Sequence, residues 1–521
     1  MHIVMVAAEN GALAGAKVGG IGDVVRDVPL ALARRGHTVT VITPGYQALS
    51  KLPGATFQQN LLVNFSGNAE TLSLHSIAQP DSPPSVQYLV LEHPLFAACG
   101  AGKIYCHDEY EPFATDASKF ALFCHAVCAA LATQAIAKTD VIHLHDWHAA
   151  LVLLLREYSA DYLALQDIPT VFSIHNLSLQ GVRPFADNWS SPDSWFPDLA
   201  YPLDAVQDPI NDDCINLMRV GINLADQVHA VSPHYAKEIL LPSHHELGLV
   251  RGENLEADLL KVSGEGRLHG ILNGCEYSDV KLKQKKPSKA RFVASANAEL
   301  RNWADKSPYI NSALFFAQLR LQEWVKHKNR DQSIVASIGR LTSQKVSLLQ
   351  VKLNENYYAI DALLDALDTG FMVMLGSGDE GCEHFMADVM KRHSNFLFLC
   401  GYSEALGELL YEFCDLFLMP SSFEPCGISQ MLAMRAGRPC LVHKVGGLAD
   451  TVLHMFNGFC FDGEDELAQV QNMLIVFSEA LVLQQGKTPA WQDICKNAAG
   501  VRFSWDESVS QYESYLYKNG Q

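Results

Sequence analysis

The sequence predicts an α/β protein built from two successive doubly wound modules. Three observations carry that expectation. Short β-branched runs alternate with longer helical patterns along most of the chain, the mark of βαβ units around parallel sheets. The rhythm falters from Leu241 to Lys289, in a stretch rich in charge and glycine, and then begins again. The 521 residues also exceed one ordinary core, because domains hold about 100–200 residues each.

In the first module the strands are expected at Ile3–Ala7, Thr38–Ile42, Val86–Leu91, Val141–Leu144, Thr170–Ile174 and Gln227–Val231. A helix over Gly22–Arg35 follows the first strand, with Gly36 as its C′ residue. Phe120 to Ala137 is the longest apolar candidate, but His125 and Gln134 interrupt it, so it reads as a buried helix rather than a membrane span. The junction falls near residues 240–270, and the basic run Lys281–Lys289 reads as a solvated loop. Strands of the second module are expected at Ser333–Ile338, Phe371–Leu375, Asn395–Leu399, Leu416–Met419 and Pro439–Val442. In such sheets ligands sit beyond the carboxyl ends of the strands, so the loops there are where chemistry is sought.

Composition narrows the class. Hydrophobic residues at 48% and charged residues at 19% exclude a disordered chain. The 39 basic and 58 acidic side chains give a net charge of −19, which argues against coating nucleic acid or an anionic membrane. A phosphate ligand held by a few local cations stays open. Thirteen cysteines without a Cys-x-x-Cys pair resemble neither a disulfide framework nor a zinc ribbon, and point to a reducing cytoplasm. The N-terminus enters a strand at once, with no basic n-region or cleavage site, so neither a secretion signal nor a transit peptide is expected.

The loop after the first strand reads Lys17-Val-Gly19-Gly20-Ile-Gly22-Asp23 and leads into a helix. Glycines let backbone N–H groups approach a phosphate, the helix start adds its dipole, and Lys17 adds a full charge. Neither Walker A nor the Gly-x-Gly-x-x-Gly fingerprint is present, which disfavours a nicotinamide dehydrogenase. His143-Leu-His145-Asp146-Trp147-His148 follows another strand, and His175-Asn176 the next; both suit polar clusters at strand ends better than a metal site, and no metal is expected. In the second module Arg340 and Lys345 share one βα loop, as a pyrophosphate clamp requires. Phe423-Glu424-Pro425-Cys426-Gly427 brings a carboxylate and backbone N–H groups to a helix start, and Gly446-Gly447 makes a second glycine turn. No Asp-x-Asp occurs, so cationic side chains would have to neutralise a pyrophosphate.

Taken together, Lys17-Val-Gly-Gly-Ile-Gly-Asp23, His145-Asp-Trp-His148, His175-Asn-Leu177, Arg340-Leu-Thr-Ser-Gln-Lys345, Phe423-Glu-Pro-Cys-Gly427 and Gly446-Gly-Leu-Ala-Asp450 resemble the bacterial glycogen synthase and plant starch synthase family, in that family's order. The resemblance implies a GT-B fold, two Rossmann-like domains across a cleft. It places the first domain at 1–262, completed by a C-terminal helix at about 503–521, and the second at 263–502. It implies a retaining glucosyltransferase that moves glucose from a nucleotide sugar, ADP-glucose or UDP-glucose with ADP-glucose preferred, to the non-reducing end of an α-1,4-glucan. No cofactor, nucleic acid or membrane partner is implied. By motif position, Asp146, His175, Arg340, Lys345 and Glu424 take the catalytic roles. Lys17, Gly19, Gly20, Asp23, Tyr402, Cys426 and Gly427 bind the donor. Departures from the family's commonest pattern include Val346 for Gly, Ser422 for Arg, and a lengthened loop over Ser347–Tyr358. The rival readings are a sucrose- or trehalose-phosphate type synthase with a small acceptor, and a non-catalytic glucan-binding relative.

Overall fold

The computed structural model describes residues 1–277, 286–306, 312–326 and 332–518. The basic run Lys281–Lys289 lies outside the described residues over 281–285. The chain divides into two compact units. One holds Met1–Ser243, Arg251–Gly274 and Ser504–Gln521; the other holds His244–Val250 and Cys275–Phe503.

The first unit is organised by a nine-stranded sheet. Its spatial order is Leu268–Gly270, Gln227–Ala230, Thr170–Ile174, Val141–His145, His2–Val6, Thr38–Pro44, Val86–Glu92, Asn68–Ile77 and Ala55–Phe65. The first seven run parallel, and the last two form an antiparallel hairpin on one edge. Sequence reading misses that hairpin. Its strands carry polar side chains at alternate positions and are half exposed, so they lack the apolar density of the inner strands. The centre is dry: Ile3, Val4, Met5 and Val6 are all fully buried.

This unit keeps residues 263–274, past the expected boundary at 262, because Leu268–Gly270 pairs with Gln227–Ala230. The chain's last segment also belongs here. Its helix Trp505–Gln511 leads into a π turn at Tyr512–Leu516. The Trp505 indole donates to Asp27 on the helix Gly20–Arg34, and Arg35 forms a two-pronged ion pair with Glu513.

One expectation about cysteines fails. Cys99 and Cys106 form a disulfide, with Cα atoms 5.7 Å apart. Gly100 and Gly102, both at positive φ, turn the chain back between them, a closure that spacing alone did not announce. The other eleven cysteines form no disulfide.

The second unit has a six-stranded, wholly parallel sheet in the order Phe396–Cys400, Phe371–Gly376, Ile334–Ile338, Leu416–Met419, Cys440–His443 and Gly458–Phe461. The stretch expected as a lengthened loop after Lys345 is ordered structure: the helix Ser343–Gln350 continues into a small hairpin, Lys352–Asn354 with Tyr357–Tyr358. Asn356 at φ 57° makes the turn, a conformation that Asn tolerates. The helix Glu466–Gln485 is, by length and composition, long and apolar enough to cross a membrane. In the fold it lies along the strand Gly458–Phe461, burying Val470, Met473, Phe477 and Leu481.

Candidate active site

Two clusters stand at carboxyl strand ends of the first unit. The chain leaves the first strand through Glu9, whose side chain is 2% exposed. Glu9 Oε2 accepts hydrogen bonds from the backbone N–H groups of Val18 (2.8 Å) and Gly19 (2.6 Å). Glu9 Oε1 accepts from the Tyr105 hydroxyl at 2.8 Å. Gly19 caps the helix Gly20–Arg34, and Asp23 lies in its first turn, where the dipole favours a carboxylate. Lys17 Nζ donates to Asp23 at 2.6 Å, and Arg26 reaches the same carboxylate at 3.3 Å. A Cβ on Gly22 would lie 2.8 Å from Lys17 Cγ, so glycine there lets the Lys17 stem fold against the helix. The loop thus exposes Lys17, Val18 and Gly20 on a frame tied to a buried acid.

The second cluster is built on the neighbouring strands Val141–His145 and Thr170–Ile174. Asp146 follows the first of these at φ 56°, ψ 179°, a region that costs a non-glycine residue roughly 1–3 kcal/mol. Its carboxylate accepts the backbone N–H of His175 at 2.7 Å. Burial pushes the Asp146 carboxyl up to about 7, against the N–H groups of His175 and Asn176 that pull it down. Glu9 raises it further, and the two clusters stand side by side because the strands His2–Val6 and Val141–His145 are paired in parallel. His175 Nε2 meets His145 Nδ1 at 2.9 Å, so one proton is shared between the rings. Burial and the adjacent histidines hold both imidazoles well below the ordinary histidine range.

His143 does not join His145 and His148 in a ligand set. It bonds Tyr517 (2.8 Å) and Ser173 (2.7 Å), and Ser173 bonds His229 (2.7 Å), a neutral chain that anchors the C-terminal segment to the sheet. The His148 ring instead packs against Phe120 and Trp147.

The second unit gathers its residues around the loops after Ile334–Ile338 and Leu416–Met419. Lys345 Nζ forms an ion pair with Glu424 Oε2, which also accepts from Ser421 Oγ at 3.1 Å. Gln344 ties the two loops together. Its carbonyl accepts from the Ser422 N–H (2.9 Å), and its side chain donates to the Phe423 carbonyl (2.8 Å). Arg340 is exposed beside this pair, and no ion pair engages it among the described residues. Arg340, Lys345 and Ser421 line a small cleft that is open to solvent. A fork donor and a point charge in one cleft, next to a buried carboxylate, suit a diphosphate joined to a polyhydroxyl group.

Cys426 is buried, and Gly427 sits at φ 74°. The glycine turn at Gly446-Gly447 has a use that sequence did not assign. A Cβ on Gly446 would stand 1.9 Å from the Glu424 carbonyl oxygen, so only glycine lets this turn press against the Glu424 loop. Tyr402 stands on another loop, 69% exposed, and no hydrogen bond joins it to Arg340, Lys345 or Glu424. Its carbonyl accepts the Trp303 indole N–H at 3.2 Å.

The starch synthase catalytic domain family matches residues 2–260, and the glycosyl transferases group 1 family matches residues 320–480. The glycogen synthase of Anaeromyxobacter sp. is 32% identical over all of this chain and 99% of that protein. That of Gloeobacter violaceus is 31% identical, again over 100% of this chain and 99% of its own length. The chain belongs to the glycogen and starch synthase family. It is a glucosyltransferase that acts on an α-glucan, with the α/β GT-B fold. Among solved structures, the catalytic domain of starch synthase IV from Arabidopsis thaliana, bound to ADP and acarbose, superposes with a TM-score of 0.78. It is 27% identical and covers 99% of this chain and 98% of its own.

The sequence motifs nominated most of these side chains but passed over several of their supports. Glu9 accepts the N–H of nominated Gly19, and Tyr105 bonds its other oxygen. Ser421 bonds Glu424, and Gln344 ties the loops of Arg340 and Glu424 together. His145, already part of a motif, bonds His175. Glu9 had a usable signal, an acid at a carboxyl strand end just before a glycine loop. Tyr105 had none, because 96 residues separate it from Glu9.

Proposed function

We propose that this enzyme takes its glucose from ADP-glucose, adds it to the non-reducing end of an α-1,4-glucan, and retains the anomeric configuration. The observation that carries the reading is the Lys345–Glu424 ion pair beside Arg340 in one cleft of the second unit. In this assignment Arg340 and Lys345 hold the diphosphate, and Glu424 with the N–H groups around Cys426 and Gly427 holds the glucose hydroxyls. Tyr402 lies against the base. Lys17, Gly19 and Gly20 approach the donor from the loop that Asp23 and Glu9 steady. The ADP in the starch synthase IV structure supports adenine over uracil.

As the glycosidic bond breaks, negative charge collects on the departing diphosphate and positive charge on the sugar. Fixed cations at the first and oxygens at the second stabilise the transition state more than the ground state. Asp146 and His175 stand by the sugar, His175 offering a neutral imidazole and its neighbour a carboxyl that titrates near neutrality. A same-face route, in which the leaving phosphate takes the acceptor's proton, accounts for retention without a carboxylate nucleophile. We further propose a cytoplasmic reaction, because eleven of the thirteen cysteines form no disulfide.

The test is transfer of radiolabelled glucose from ADP-glucose or UDP-glucose to glycogen, counted as precipitable label. Incorporation from ADP-glucose in excess over UDP-glucose is expected, and its loss in Lys345→Ala. Absence of label with both donors would overturn the assignment.

A further inference from the structure

Far along the chain from the donor motifs, two surface loops of the first unit display aromatic rings. Trp189 is 53% exposed and Tyr110 is 87% exposed. A solvent-facing tryptophan is usually free to turn, and this one is not. Its indole Nε1 donates to Glu111 Oε2 at 3.1 Å, while Asn188 Nδ2 donates to Glu111 Oε1 at 3.0 Å. Arg183, only 5% exposed, locks the two loops from beneath. Its guanidinium donates to the Pro112 carbonyl in one loop, and to Asn188 Oδ1 and the Ser190 carbonyl in the other. Phe113, held at φ 66°, then turns its ring edge-on to Trp147, with centroids 5.5 Å apart. Trp147 is the residue after Asp146.

We propose that Trp189 and Tyr110 form a binding platform for the α-glucan acceptor chain, outside the donor machinery; the inference rests on the acceptor being an α-glucan. Three features select that ligand. A ring whose orientation is fixed in advance, as that of Trp189 is, binds a flexible polymer at lower entropic cost, because only the polymer must be ordered. The C–H faces of glucose units stack on aromatic faces, while carboxylate lone pairs accept sugar hydroxyls. The charge is also wrong for anything anionic. Asp108, Glu109, Glu111 and Asp187 populate the two loops, and the arginine nearby is buried and spent on carbonyls. A neutral polysaccharide meets no repulsion there, whereas a nucleotide or phosphorylated partner would. Phe113 packs on Trp147, the residue after Asp146, so the loop that carries Tyr110 is braced against the strand end assigned to the transferred sugar.

The experiment is native gel electrophoresis through glycogen without donor, followed by transfer kinetics, on wild type, Trp189→Ala, Tyr110→Ala and Trp189→Phe. Trp189→Ala is expected to weaken retardation and to raise KM for glycogen about fivefold, the worth of one stacked ring. KM for the sugar nucleotide and kcat with maltotriose stay at the wild-type values. Trp189→Phe, which keeps a stacking face, recovers most of the retardation. Circular dichroism melting checks that each variant is folded. Wild-type retardation and wild-type glycogen KM in both alanine variants would overturn the platform. Should the wild-type protein transfer no glucose to any glucan, the functional assignment fails, while gel retardation still decides the platform by itself.

Discussion

Glu9 Oε2 accepts the backbone N–H of Gly19 at 2.6 Å, so the loop assigned to the donor is held from below by a buried carboxylate. Without that acceptor, the N–H groups of Val18 and Gly19 lose their partner and the loop its position. Glu9→Ala is expected to lower kcat/KM for the sugar nucleotide by about tenfold or more, the usual cost of an unsatisfied buried group. Glu9→Gln keeps an oxygen for both N–H groups, and its amide can donate to Tyr105, so it should restore most of the loss. Steady-state kinetics on the two variants decides this. Equal defects in both would show that the charge, rather than the acceptor geometry, matters.

Lys345 is paired with Glu424 before any donor arrives. The diphosphate contact proposed for Lys345 therefore requires that it be shared with, or released from, that carboxylate. Lys345→Ala should reduce kcat by about 10²–10³, comparable to removing one charge-stabilising donor. It also strands a carboxylate that is 6% exposed, so the fold should lose stability. Lys345→Ala combined with Glu424→Gln relieves the stranded charge. Thermal melting of the double variant is expected to recover while activity stays low, which separates the structural part from the chemical part.

The buried imidazoles set a pH dependence. His125 and His229 are lowered to about 4 and His148 to about 3 by burial, and His143, His145 and His175 are also well below 6.5. Below pH 6.5 the unfolded chain binds protons at these sites that the folded chain does not. Stability therefore falls as pH drops from 6.5 toward 4, by up to about 1.4 kcal/mol per pH unit for each histidine. Asp146 works in the opposite sense. Raised from 3.8 to about 7, it keeps a proton in the folded state that the unfolded state has lost, so its contribution declines as pH rises through that window. Six histidines outweigh one aspartate. Urea midpoints should drop from pH 7.5 to pH 5, and Asp146→Asn should raise the midpoint at pH 7.5. A midpoint that does not change with pH would refute the account.

The Cys99–Cys106 disulfide closes a short loop that carries Tyr105, the hydroxyl partner of Glu9. Lys119 secures the same loop by donating to the Ile104 carbonyl (2.6 Å) and to Asp116 (2.5 Å). Replacing both cysteines by serine should lower stability by about 2 kcal/mol, as expected for a loop this small. It should also raise KM for the sugar nucleotide through the freer Tyr105. Dithiothreitol should reproduce both effects in wild type and neither in the double variant.

What the sequence determined by itself was periodicity and local spacing. Alternation of apolar strands and amphipathic helices revealed two parallel-sheet modules, and it placed Glu424, Lys345, Asp146 and His175 at carboxyl strand ends, because those signals lie within a few residues of each other. What only tertiary structure decided was partnership at a distance. Glu9 with Tyr105, Lys345 with Glu424 and Tyr517 with His143 are separated by 96, 79 and 374 residues. Cys99 and Cys106 are close in sequence, yet their pairing required the chain to turn back at Gly100 and Gly102. The physical reason is that a buried donor or acceptor must find a partner wherever the fold brings one, and chain connectivity does not say where. The edge hairpin Ala55–Ile77 escaped for a related reason, since half-exposed strands owe their place to pairing with Val86–Glu92 rather than to their own apolar content.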